Sequence, residues 1–83
     1  MNKKELQTKL DLLGVASQAY SLEGELVPDN IILYNSYHKW EVFYLDERGG
    51  RNDEKEFDSE SEACEHIYKL FKESQAIEDK YLK

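Results

Sequence analysis

Apolar residues first recur at Leu6, Leu10 and Leu13, the spacing of one helical face, with lysines, acids and glutamine between them. This predicts a short helix over residues 2–13, with Asn2 as N-cap and Gly14 as the C′ residue that ends it. So short a helix is marginal alone in water, so its leucines must dock on another element. After Gly14 the period changes. Ala19-Tyr20-Ser21-Leu22 alternates weakly and ends at Gly24, predicting a short first strand and a turn. Beyond the Pro28-Asp29-Asn30 turn cluster, Ile31-Ile32-Leu33-Tyr34 is β-branched or aromatic at nearly every position and predicts a second strand. Asn35-Ser36-Tyr37-His38 supplies the next reversal.

The third strand has the clearest pattern. From Lys39 to Leu45, Trp40, Val42 and Tyr44 point to one face while Glu41, Phe43 and Leu45 point to the other. Large side chains on both faces predict a central strand with a neighbour on each side. Asp46-Glu47-Arg48-Gly49-Gly50 forms the following turn, and a short fourth strand is expected around residues 53–57. Ser59-Glu60-Ser61-Glu62 has the spacing of a capping box opening a long last helix, with Asp58, Glu60 and Glu62 at the positive end of its dipole. Ala63, Ile67, Leu70, Ser74, Ile77 and Tyr81 carry its stripe, widened by Cys64 and Phe71, while residues 75–83 either continue the helix or fray.

The order predicts an α+β fold: a short N-terminal helix, a three- to four-stranded antiparallel meander and a long C-terminal helix. Short turns favour antiparallel pairing, and two amphipathic helices needing one apolar surface are expected on one face of the sheet. The opposite face is then left partly exposed, with a row of large side chains reaching solvent. At 83 residues the chain forms one domain, residues 1–83, too small to enclose a deep cofactor pocket.

Charge changes the picture. Residues 41–65 hold ten acidic and three basic residues, and the rest of the chain balances, so this segment carries the whole net charge of −7. Such a field attracts a basic partner and repels nucleic acid and anionic lipid, so neither is an expected partner. No apolar run approaches a membrane span, and the single cysteine forms no internal disulfide, which points to a reducing, cytoplasmic setting.

Candidate chemistry is sparse. Cys64 and His66 are two apart on a helix and point away from each other; Cys64 reads as a buried structural thiol and His66 as a polar-face residue one turn from Glu62. His38, in a turn, has no second histidine spaced to share a metal, and residues 46–54 lack the alternating acidic ligands of a hard-cation loop. No pair of carboxylates is placed for acid–base work and no glycine-rich phosphate loop precedes a helix. The expectation is a binding protein, not an enzyme, with no cofactor and no metal.

Trp40-Glu41-Val42-Phe43-Tyr44, then Glu47-Arg48-Gly49 with Arg51, then Phe57-Asp58-Ser59-Glu60-Ser61-Glu62-Ala63-Cys64 opening a helix, resemble small α+β immunity proteins of bacterial polymorphic toxin systems. The resemblance covers roughly residues 20–71. It implies a cytoplasmic, non-enzymatic protein that binds a cognate toxin domain and blocks its active site or substrate access. In that reading the hairpin of residues 41–54 docks on a basic toxin surface. Glu41, Asp46, Glu47, Asp53 and Glu54 would supply charge, Tyr37 and Tyr44 would supply anchors, and Arg48 and Arg51 would brace the turn through ion pairs with Glu47 or Asp53. The alternative is a homodimeric structural or regulatory module that pairs an exposed sheet face or the last helix with itself.

Overall fold

The leucine stripe forms α1, Lys3–Leu12. Asn2 Oδ1 accepts the Glu5 N–H at 2.8 Å, and Gly14, at φ 79°, closes the far end with its N–H on Asp11 O. The computed structural model describes residues 1–37 and 39–81, with side chains described up to residue 73. His38 and the stripe positions Ser74, Ile77 and Tyr81 therefore lie outside the residues and side chains described. A 3₁₀ turn, Ser17–Ala19, leads into β1, Tyr20–Ser21, followed by β2, Asn30–Ser36, β3, Lys39–Leu45, β4, Arg51–Phe57, and α2, Glu60–Tyr81. Ser59 Oγ accepts the Glu62 N–H at 3.2 Å, the serine half of the predicted cap.

The sheet order is β1-β2-β3-β4, so β3 is internal, as its two-faced pattern requires. β2 pairs antiparallel with β3, and β3 with β4. β1 departs from the predicted meander by running parallel to β2, with Tyr20 opposite Ile31 and Ser21 opposite Ile32. Parallel neighbours usually need a long crossover, because the chain must travel back the length of a strand. A two-residue strand is only about 7 Å long, so residues 22–29 suffice for the return. Buried Asn30 ties this return down: its amide donates to Gln18 O and Asp29 O in the orientation that satisfies both.

Leu6 and Leu10 of α1, Leu33 of β2, Val42 of β3 and Ala63, Cys64 and Ile67 of α2 share one buried cluster. α1 makes its main contact with α2. Partly buried Trp40 and Phe57 pack against the same cluster. Each fully buried leucine contributes about 1.5–3 kcal/mol, enough to hold down a helix that cannot persist alone.

The other side of the sheet differs from expectation. Ile32, Phe43 and Leu45 are 0%, 1% and 5% exposed, with Tyr34 packed beside them. Ile32 sits directly opposite Phe43 across the ladder, and the Arg51 guanidinium lies 4.5 Å from the Phe43 ring centroid. The row expected to reach solvent is thus buried: the Arg51 guanidinium lies over Phe43 and Tyr34, and the return loop passes against the Tyr34 ring at Gly24. No helix among the described residues is long and apolar enough to cross a membrane.

Candidate functional site

The β3–β4 turn is organised by Asp46. Its main chain pairs with Gly50 (Asp46 N to Gly50 O, 2.9 Å) and accepts the Gly49 N–H at 3.0 Å, with Gly49 at φ 85°. The carboxylate accepts the Arg48 N–H at 2.9 Å, the Gly50 N–H at 2.7 Å and the Asn52 amide at 3.1 Å. The Gly50 and Asn52 donors, with Arg48 N–H behind them, hold its carboxyl below the ordinary carboxylate range. A Cβ on Gly50 would stand 2.7 Å from Asp46 Oδ2, so a side chain there would push the carboxylate away from its donors.

Past the turn, β4 forms one edge of the sheet and is exposed at every residue from 51 to 56. Its register slips: Asn52 faces Tyr44 and Lys55 faces Val42, so Asp53 and Glu54 together oppose Phe43. This is a β-bulge, and Asp53 takes the left-handed conformation at φ 54° to make it. Bulges bend an edge strand, and Asp is among the few non-glycine residues that tolerate such a φ.

The bulge borders a groove of about 520 Å³ between the sheet and α2. Ala19, Ile31, Val42, Tyr44, Leu70 and Phe71 line it, and Asp29, Asp53, Lys55 and His66 supply its polar groups. Asp29 Oδ1 accepts the Tyr44 hydroxyl at 3.1 Å, which pushes the phenol pKa above its ordinary value. Asp29 is also left-handed, at φ 63°, and its N–H reaches Leu45 O at 2.7 Å. His66 is half-buried with its ring 5.1 Å from that of Phe57. Burial, then the charges of Lys55 and Lys69, push its pKa below the ordinary histidine value.

The seven residues singled out by sequence do not form one constellation. Glu47, Asp53 and Glu54 are exposed on the turn and the β4 edge, and Tyr44 and Asp53 meet at the groove. Asp46 is turned into its own loop. Glu41 lies on the second sheet face, opposite Tyr34 and Glu56. Tyr37 is 96% exposed but follows β2, at the far end of β3 from the 46–50 turn, about 20 Å away at the usual strand rise.

The arginines also part from expectation. Among the described residues the ion pairs are Lys3–Glu23 and Lys39–Asp58, and neither Arg48 nor Arg51 joins one. Arg51 lies instead over the rings of Phe43 and Tyr34. Cys64 is fully buried, and burial pushes its thiol up to about 11, the character of a structural cysteine.

Asp29, Lys55 and His66 were missed. His66 carried a signal: three residues after Ala63 and four before Leu70, it borders the apolar stripe. Nothing local announces that the Pro28-Asp29-Asn30 turn meets Tyr44. Among the described residues no three His, Cys, Asp or Glu side chains converge as metal ligands. Comparison with known protein families, curated proteins and solved structures finds no match to this chain.

Proposed function

We propose that this chain is a non-enzymatic, immunity-type inhibitor that acts in the cytoplasm by binding a cognate, basic toxin domain. The observation that carries this reading is the β4 edge, exposed from residue 51 to 56, where Asp53, Glu54 and Glu56 outnumber Arg51 and Lys55, with Glu47 at the adjoining turn and Arg51 folded back over Phe43. An excess of acid on an exposed edge accelerates encounter with a basic surface and disfavours phosphate backbones and anionic lipid. The same charges guard the edge against pairing with a copy of itself. The aromatic contribution to docking is narrower than a ring-lined sheet face, because Phe43 is covered, and rests on Tyr44 beside the groove.

Affinity capture from the organism that makes the protein tests the reading. The bait is used in native form and with Glu47→Gln, Asp53→Asn and Glu54→Gln combined. The native bait is expected to retain a basic protein that salt releases, and co-expression is expected to relieve that protein's toxicity. Recovery of the same partner in equal amount by both baits would remove the acidic edge from the mechanism.

A further inference from the structure

We propose that the groove between β3, β4 and α2 receives one apolar side chain of the partner, flanked in the partner's chain by lysine or arginine residues that meet Asp29 and Asp53. This rests on the docking reading above, since it names what the acidic edge guides into place.

Three observations carry it. First, the groove is apolar in its floor, with Ile31, Val42, Leu70 and Phe71 around a volume of about 520 Å³. That is room for a leucine or aromatic side chain with part of its neighbours, and filling it removes apolar surface from water. Second, among the described residues Asp29 and Asp53 are the only non-glycine residues with positive φ, at 63° and 54°, and both line this groove. Glycine would relieve the backbone at either position. The chain instead places a carboxylate at each, and the backbone bond from Asp29 N–H to Leu45 O and the bulge at Asp53 fix where they stand. Third, the carboxylates of Asp29 and Asp53 select the occupant, with Lys55 in the lining and Lys69 near His66 as the opposing charges. Lys55 is the one lysine or arginine lining the groove among the described residues, and in β4 it lies between Glu54 and Glu56. A second copy of a chain with net charge −7 would bring like charge to that rim, whereas an apolar residue between basic ones brings the opposite charge.

The test is a titration followed by amide chemical shifts, with a capped pentapeptide carrying one phenylalanine between two lysines. Shifts are expected at Ile31, Tyr44, Leu70 and Phe71, and binding is expected to weaken about tenfold when the lysines become glutamates or the phenylalanine glycine. Asp29→Asn with Asp53→Asn, which tolerates the same backbone, is expected to weaken it similarly. Leu70→Trp, which fills the groove, should abolish the shifts. Three outcomes overturn the inference: shifts confined to Glu47, Glu54 and Glu56, equal affinity for the glutamate peptide, or groove shifts that appear with rising protein concentration alone. A captured partner separates the two levels. If Leu70→Trp leaves its binding unchanged while neutralising the β4 edge abolishes it, the groove inference fails and the docking reading stands. If neither variant changes binding, both fail.

Discussion

Truncating Arg51 to alanine should open the second face of the sheet. Phe43 is 1% exposed although it lies outside the cluster that holds the buried residues of both helices, and the guanidinium 4.5 Å from its ring centroid is part of what covers it. Arginine can do this while its head stays in water, because its stem and planar group lie flat on apolar surface. The cation–π contact is worth about 0.5–1 kcal/mol at an exposed site. Uncovering roughly 50 Å² of ring adds about 1.2 kcal/mol at 25 cal/mol per Å². The loss for Arg51→Ala is therefore about 2 kcal/mol, out of a total stability of about 4–12 kcal/mol for a domain this size. Arg51→Met keeps most of the cover and loses the charge, so it should cost only about 0.5–1 kcal/mol. Urea and thermal unfolding followed by Trp40 fluorescence measure both, and the alanine variant should melt roughly 8–16 °C lower. An alanine variant within about 0.5 kcal/mol of the native protein, the ordinary range for a surface change, would refute the lid. Equal losses for alanine and methionine would show that charge, not cover, sets the effect.

Asp53→Gly should leave stability unchanged or raise it by up to about 1 kcal/mol, and Asp53→Val should lower it by about 1–2 kcal/mol, because only the β-branched residue resists a left-handed φ; urea midpoints decide. His66 titrates below its ordinary 6.5 in the fold, because burial and then Lys55 and Lys69 disfavour its charged form, with Glu73 opposing. Below 6.5 the unfolded chain therefore binds the proton first, so stability should fall with pH from 6.5 down to the folded value, and His66→Gln should flatten that limb of the profile. Asp46 behaves as a depressed acid: its contribution is complete above 3.8 and is lost as pH falls through its lower folded value, which adds a second limb that Asp46→Asn removes. Cys64, fully buried with its pKa pushed to about 11, should react with an aromatic disulfide at least about a thousandfold more slowly than in urea, at the rate of global opening. Fast labelling of the native protein would show that α2 lifts locally from the core.

The chain's periodicities determined α1, the internal position and two-faced character of β3, the Gly49-Gly50 turn, the Ser59 cap and the burial of Cys64. Each follows from contacts within a few residues or from a face pattern repeated along one element, so the information is local. Tertiary structure alone decided that β1 runs parallel to β2, since two residues carry no directional pattern and the reversal depends on buried Asn30 holding the return loop. It also decided that Arg51 lies on Phe43 instead of pairing with an acid, because the register of β4 brings it there. The groove belongs to the same class. Asp29, Tyr44, Asp53 and His66 come from four separate segments, and their meeting depends on a bulge and on helix placement, which no spacing along the chain encodes.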